Sequence, residues 1–170
     1  MHIRFYIVPL ALSALLLSGA GCWRAADKAP DQAEQAATRL QADLAAAEKL
    51  DLSNSDLTKV PAYVFGQFRL TELNLSHNRL IGALPAEIRQ LTKLQVLDVS
   101  GNLMTGVPAE IGQLSELRRL DLSNNRLTGL PQELGDLKNL EELDLSGNSV
   151  SENDLAIISS LLPKTVKIIR

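Results

Sequence analysis

The chain has 170 residues, enough for about one domain, and its 45% hydrophobic and 22% charged residues exclude both a largely disordered chain and a polytopic membrane protein. The net charge of −3 argues against a nucleic-acid partner, because phosphate binding needs a basic surface. The single cysteine excludes an internal disulfide framework and a cysteine-based zinc site, and the 4% aromatic content leaves an aliphatic core.

Residues 1–21 have the pattern of a secretory signal peptide. A basic residue, Arg4, precedes a mostly apolar run from Phe5 to Ala20, and small residues end the segment. A membrane-spanning helix needs roughly 20 apolar residues, so this shorter run favours a cleaved signal peptide. A transmembrane anchor is the alternative.

The end of this segment, Leu17-Ser18-Gly19-Ala20-Gly21-Cys22, resembles the lipobox of bacterial lipoproteins. The resemblance implies cleavage before Cys22 and lipid attachment to it, with Gly19 standing where the family usually has a leucine-like residue. The alternative is that Cys22 is an ordinary thiol behind a general secretory cleavage site. Trp23 replaces the aspartate that retains such proteins at the inner membrane. The expected location is therefore the bacterial cell envelope, reached by secretion across the inner membrane, and the outer membrane if the cell is Gram-negative.

Residues 22–46 are predicted to form a lipid-anchored linker and an N-terminal helix. Residues 24–30 are mostly small or polar and show no hydrophobic periodicity. Asp31 and Glu34 then have the spacing of a capping box. Apolar residues recur at helical spacing at Ala33, Ala36, Ala37, Leu40, Leu44 and Ala47. Because this stripe is mostly alanine, we interpret the helix as a spacer or cap, with a partner-binding coiled coil as the alternative.

Residues 47–150 contain five copies of one repeat, and this period is the strongest signal in the chain. In the last four copies, apolar residues and one asparagine are spaced by 3, 2, 3 and 2 positions, as in Leu117, Leu120, Leu122, Asn125 and Leu127. The asparagines are Asn78, Asn102, Asn125 and Asn148, which lie 24, 23 and 23 residues apart. The first copy is degraded and has Ser55 in place of the asparagine.

Each copy predicts a short strand, a turn and a return segment. The Leu-x-x-Leu-x-Leu spacing places the last two leucines on one face of the strand. An isolated coil cannot bury them, so the copies are expected to stack into a parallel sheet over a shared core. The asparagines are predicted to form a ladder that satisfies buried backbone groups. A Leu-Pro or Val-Pro pair then extends the chain into the return segment.

Residues 151–170 are predicted to cap the last coil. Ser151 begins a helix with Asp154 at its third position, and Pro163 ends it. Residues 165–169 alternate like a strand that adds an edge to the sheet. Together the helix and the strand would cover the core that the last coil otherwise exposes.

These motifs resemble the 23- to 24-residue leucine-rich repeats of bacterial, plant and animal proteins. Residues 120–131 are close to the consensus sequence of that family. The resemblance covers roughly residues 47–150. It implies an α/β solenoid, a right-handed superhelix with a concave parallel β-sheet, here with an N-terminal helix and a C-terminal helix-strand cap. In this family the concave face is the usual binding surface, although the fold alone does not fix the function.

The concave face is accordingly the predicted partner-binding site. Its candidate residues are Glu72, His77, Val96, Asp98, Arg118, Arg119, Asp121, Glu142 and Asp144. Arginine is a favoured interface anchor, but the two arginines could instead relieve repulsion among the aspartates. For the aspartates, a hydrogen-bonding ladder and a cation site are the alternatives to partner binding.

The sequence predicts a non-enzymatic interaction module without catalytic residues, metal or cofactor. It shows no plausible triad of serine, histidine and acid, no phosphate-binding loop and no metal motif. The expected partner is a protein or peptide, not a nucleic acid, with membrane contact through the lipid anchor only and the chain as a monomer. Binding of envelope glycan or peptidoglycan, or an adhesin-like role, is the alternative, and a hydrolase is less favoured.

Overall fold

The computed structural model describes residues 47–170. The predictions for residues 1–46, namely the signal peptide, the lipid-modified Cys22, the linker and the N-terminal helix, lie outside the described residues. Within residues 47–170, no helix has both the length and the apolar character needed to cross a bilayer.

Short strands and short helices make up the regular structure of the described chain. The strands are β1 (Lys49–Asp51), β2 (Glu72–Asn74), β3 (Ile81–Gly82), β4 (Val96–Asp98), β5 (Leu103–Met104), β6 (Arg119–Asp121), β7 (Glu142–Asp144) and β8 (Lys167–Ile169). Six of them form a parallel sheet in the order β1-β2-β4-β6-β7-β8, and β3 pairs with β5 in a second, two-stranded sheet. The predicted parallel sheet, with one strand from each repeat, is confirmed.

The strands of the large sheet pair in register, so equivalent residues of successive coils stand side by side. The central residue of each strand points into the core: Leu50, Leu73, Leu97, Leu120, Leu143 and Ile168. Leu97, Leu120 and Leu143 have no exposed surface at all. Because each of these leucines packs against the coils before and after it, the coils share one hydrophobic interior.

The return segments contain 3-10 helices, which were not predicted. They span Ala62–Gly66, Ala86–Gln90, Ala109–Gln113 and Gln132–Asp136, here called η1 to η4. In each case a proline with extended backbone precedes the helix, and its carbonyl accepts the first i to i+3 hydrogen bond, as from the Ile111 N–H to Pro108 at 3.2 Å. One apolar residue per helix is fully buried, such as Ile88 in η2 and Ile111 in η3.

The four asparagines form the predicted ladder between coils. Asn125 illustrates it: Nδ2 donates to the carbonyls of Val99 in the preceding coil and Leu122 in its own coil, both at 3.0 Å. Its Oδ1 accepts from the buried Met104 N–H at 3.0 Å. Asn78, Asn102 and Asn148 repeat the arrangement with the equivalent backbone groups. Each carboxamide therefore binds two successive turns of backbone together.

A helix and a strand follow the last repeat. The helix α1 (Glu152–Leu161) begins at Ser151, whose Oγ accepts a hydrogen bond from the Asp154 N–H at 3.1 Å. Leu155 and Ile158 on this helix are buried against the core. The strand β8 then pairs with β7 and forms one edge of the sheet.

Glycine at position 112 allows η3 and η4 to pack closely. A Cβ atom on Gly112 would lie 2.2 Å from the backbone oxygen of Glu133 in η4. We expect Gly112→Ala to lower the free energy of unfolding by about 1–3 kcal/mol, because the obstructing atom is backbone and one of the two helices has to shift to relieve the overlap. Urea unfolding of the purified protein measures the change.

Gly66 in η1 provides a matched control. A Cβ atom at this position would have no other atom within 4 Å, and neither glycine has a left-handed backbone. Gly66→Ala should therefore leave the unfolding midpoint nearly unchanged. Equal midpoints for the two variants would contradict the close packing of η3 against η4.

Candidate functional site: the exposed face of the sheet

Three columns of side chains line the exposed face of the six-stranded sheet. The first column precedes the strands and consists of Glu48, Thr71, Gln95, Arg118 and Glu141. The second column begins the strands and consists of Lys49, Glu72, Val96, Arg119, Glu142 and Lys167. The aspartate column ends the strands and consists of Asp51, Asn74, Asp98, Asp121 and Asp144. The in-register pairing brings each residue beside its equivalent in the next coil.

The second column is a series of ion pairs with one apolar gap. Lys49 Nζ lies 2.6 Å from Glu72 Oε1 at the N-terminal end of the sheet. At the other end, Glu142 accepts from two bases, since Arg119 Nε is 3.3 Å away and Lys167 Nζ is 3.1 Å away. Val96 stands between the two groups and is partly exposed. Opposite charges therefore face each other across adjacent strands, which is a stabilising cross-strand arrangement.

Both candidate arginines have carboxylate partners in the next coil. Arg118 Nη1 lies 2.9 Å from Glu141 Oε1, and Arg119 pairs with Glu142 as described above. These partners are glutamates of the first and second columns, and neither arginine forms an ion pair with a member of the aspartate column. Both arginine side chains remain more than half exposed, at 58% and 57%. Exposed pairs of this kind contribute only about 0–1 kcal/mol, so a partner can replace them at little cost.

The aspartates fold back onto the turn that ends each strand. Oδ1 of Asp98, Asp121 and Asp144 accepts the N–H of the serine two residues later, at 2.9, 3.0 and 2.9 Å. The Ser100 and Ser146 hydroxyls donate to the same oxygens of Asp98 and Asp144 at 2.7 Å. These contacts give the aspartates the structural role that the hydrogen-bonding alternative describes. In the described part of the chain, no group of three or more His, Cys, Asp or Glu side chains is arranged to hold a metal ion.

His77 belongs to a rim column whose members all have left-handed backbone. Their φ angles lie between 53° and 69°, and the residues are Asn54, His77, Gly101, Asn124 and Gly147. Asparagine and glycine adopt this conformation readily, so the backbone of the turn explains why four of the five residues in this column are asparagine or glycine. The imidazole of His77 lies over Gly101, where a Cβ would be 2.7 Å from Nδ1. The alternation of asparagine and glycine in the sequence is the signal that could have revealed this turn.

The aromatic side chains of the described residues lie away from this face. Tyr63 and Phe65 belong to η1, and Phe68 follows it. Burial raises the pKa of Tyr63 above its ordinary value of 10.0. A shallow cavity of about 280 Å³ opens between the first two coils, beside Val60 and Ile81, and none of its lining residues belongs to the three columns. The sheet face is thus flat, charged and without an aromatic platform.

Comparison with known protein families decides the identity of the fold. A family described as "Leucine-rich repeat region" matches residues 48–162, which is more than half of the chain. The chain is a leucine-rich-repeat protein. The α/β solenoid that the resemblance to leucine-rich repeats implied is confirmed. No functionally curated protein shows significant sequence similarity to the chain.

Solved structures of other leucine-rich-repeat proteins have the same fold. A leucine-rich-repeat protein of Leptospira interrogans matches with 40% identity and a TM-score of 0.68, over 72% of this chain and 31% of that one. The ectodomain of the receptor kinase SOBIR1 of Arabidopsis thaliana matches with 32% identity and a TM-score of 0.57, over 71% and 66%. A chain of the BIR3–SERK2 complex of Arabidopsis thaliana matches with 36% identity and a TM-score of 0.55, over 60% and 56%. The leucine-rich-repeat protein described here thus spans about a third of the length of its Leptospira relative.

Proposed function

We propose that this chain is a non-enzymatic interaction module, held at the bacterial cell envelope by a lipid on Cys22, and that it binds a protein or peptide through the exposed face of the sheet. The observation that supports the proposal is the pattern of residues on this face. Its first and second columns change in charge and polarity from coil to coil, whereas the aspartate and asparagine columns that maintain the fold have one exception each, Asn74 and Ser55. Variable side chains on an invariant scaffold are what a binding surface needs.

The charges of the face indicate the kind of partner. The ion pairs at Arg118 and Arg119 can be exchanged for pairs with a partner, because both arginines are more than half exposed. Val96 offers one apolar contact between the charged groups. A flat strip with this pattern suits an extended peptide or a protein segment of complementary charge, and the complex should weaken as salt is raised.

The size of the face limits the affinity. Six strands spaced by about 4.8 Å, taken over a length of about four residues or 13 Å, cover roughly 380 Å². A standard interface buries about 800 Å² on each partner, so contacts from the rim or from flanking coils have to contribute. In the BIR3–SERK2 structure, a chain with this fold is present in a complex of two proteins, which supports a protein partner here.

Site-specific photocrosslinking in whole cells tests the binding face. A photoreactive amino acid at Val96 would report contacts on the face without removing any of the ion pairs. The same amino acid at Gln113, exposed on η3 in the same coil, is the matched control. We expect a discrete crosslinked partner from position 96 only.

Charge reversal provides the second arm of this test. The double variant Arg118→Glu, Arg119→Glu should abolish the crosslink from position 96, because it places acids beside Glu141 and Glu142. A crosslink that is equally strong from position 113, or one that survives the double variant, would show that the partner binds another surface and not the exposed face.

The lipid anchor has its own test. We expect Cys22→Ser to abolish incorporation of a labelled fatty acid and to move the protein from the membrane fraction to the soluble fraction, since each acyl methylene contributes about 0.8 kcal/mol of membrane affinity. Ser18→Ala, a change in the same segment that keeps the cysteine, is the control and should retain the label. Membrane association that persists in Cys22→Ser without label would contradict lipidation and favour the transmembrane alternative.

A further inference from the structure

We propose that the outer edge of β8 is a second binding site, which takes an extended peptide as an added parallel strand with an acidic residue beside Lys167. This site shares Lys167 with the exposed face, but its other elements, the outer backbone groups of β8 and Ile168, do not belong to that face. Its test uses a defined peptide and therefore does not depend on the proposed function. Among residues 47–170, β8 has a strand partner on one side only, because it stands last in the sheet order. The three features that follow describe what this edge offers.

The first feature is the backbone. The Lys167 N–H donates to the Glu141 carbonyl at 2.9 Å, and the Ile169 carbonyl accepts from the Leu145 N–H at 2.9 Å. Alternate residues of a parallel strand bond to opposite sides. Residues 167 and 169 thus bond to β7, and the N–H and C=O of Ile168 point away from the sheet. An added strand would satisfy both groups.

The second feature is an apolar residue that is only partly buried. The central residues of the six strands pair with one another across the sheet, and we call them the core column. Its members Leu97, Leu120 and Leu143 are fully buried, each with 0% exposure. Ile168 pairs with Leu143 as the last member of this column, yet it remains partly exposed. A further strand with an apolar residue opposite Ile168 would cover it as each earlier member is covered.

The third feature is charge. Lys167 pairs with Glu142 of β7 at 3.1 Å on its inner side and is 67% exposed. In the second column, bases and acids alternate from Arg119 to Glu142 to Lys167, so the next residue in register should be an acid. The β1 strand of another copy would place Lys49 there, and two lysines directly opposite each other are destabilising. The edge therefore favours an acidic peptide over head-to-tail stacking of copies.

The sequence of β7 supplies a probe, because this strand already meets β8 in the required register. A synthetic peptide copying residues 139–146 should add to the outer edge with its Glu142 equivalent beside Lys167. We expect it to bind about two- to fivefold more tightly than the same peptide with lysine at that position, the range given by one favourable cross-strand pair. Fluorescence titration of the full-length protein with each labelled peptide measures the ratio.

Two protein variants test the edge itself. Lys167→Glu should reverse the preference, so that the lysine peptide binds more tightly. Ile168→Pro removes the outward N–H while leaving the bonds to β7, a position where an edge strand tolerates proline, and it should abolish binding of both peptides. Thermal unfolding verifies that each variant is folded.

Three results would overturn the proposal. One is a peptide preference that ignores the charge at position 167, and another is binding that is undiminished in folded Ile168→Pro. The third is concentration-dependent self-association in sedimentation velocity that Ile168→Pro removes, because this would assign the edge to a second copy of the chain.

Discussion

Leu120→Ala should lower the free energy of unfolding by about 2–5 kcal/mol. Leu120 is the central residue of β6, has 0% exposure and pairs in register with Leu97 and Leu143. Truncation removes apolar contacts with both neighbouring coils and leaves a cavity that the flanking strands cannot close without losing their own pairing. Equilibrium unfolding in urea, with the slope held common to both proteins, measures the loss.

Ile81→Ala is the matched control for this prediction. Ile81 is also an aliphatic residue of a short strand, but it is 62% exposed. Its truncation should therefore change stability by no more than about 0.5 kcal/mol. If the two variants unfold at the same urea concentration, the leucines do not form a shared interior.

Asn125→Ala should lower the free energy of unfolding by about 3 kcal/mol. This is the upper end of the range for leaving one buried polar group without a hydrogen-bond partner. The carboxamide is the hydrogen-bond acceptor for the buried Met104 N–H, and it also donates to the Val99 and Leu122 carbonyls. The Val99 and Leu122 carbonyls keep bonds from Asn102 and Asn148, both at 2.9 Å. The loss therefore falls mainly on the amide of Met104. Urea unfolding measures the effect.

Asn139→Ala tests whether burial decides this cost. Asn139 also bridges two coils, with Nδ2 donating to the Ser115 carbonyl at 2.8 Å, but this bond is exposed to water. Water replaces an exposed partner, so we expect a change of about 0.5 kcal/mol or less. A loss at Asn139 as large as the loss at Asn125 would mean that the ladder is not a buried network.

The sequence predicted the sheet because the repeat fixes which side chains must be inside. The 3, 2, 3, 2 spacing assigns Leu120 to the core and Asn125 to the turn, and the structure places both there. The same spacing places Arg119 and Glu142 at equivalent positions of adjacent coils. The outward columns can therefore be read directly from the sequence.

The return segments could not be predicted in the same way. Each 3-10 helix has five residues, such as Ala109–Gln113, which is too short for an apolar period to appear. The proline before each helix indicated an extended residue but not the turn that follows. The role of Gly112 was equally hidden, because its neighbour Glu133 lies in the next coil and only the stacking distance brings the two together.

The sequence predicted which residues lie on the exposed face, but not which of them form ion pairs with one another. The sequence placed Arg118 and Arg119 among acids without showing which acids they pair with. In the structure the partners are Glu141 and Glu142, and the aspartate carboxylates bond to their own turns. The left-handed backbone of His77 was also missed, although histidine is among the residues enriched in that conformation and its column otherwise holds only asparagine and glycine. Local backbone geometry therefore decided which of the charged groups remain available to a partner.

The most direct test of the central claim, that the coils share one core and present one continuous face, is native-state hydrogen exchange at the strand amides. The N–H groups of Leu75, Val99 and Leu122 each donate to the carbonyl of an aspartate in the next coil, at 2.7, 3.0 and 2.9 Å. If the coils unfold as one unit, these three amides should exchange with the same free energy, equal to that of global unfolding. Exchange with widely different free energies, or without protection, would contradict a shared core.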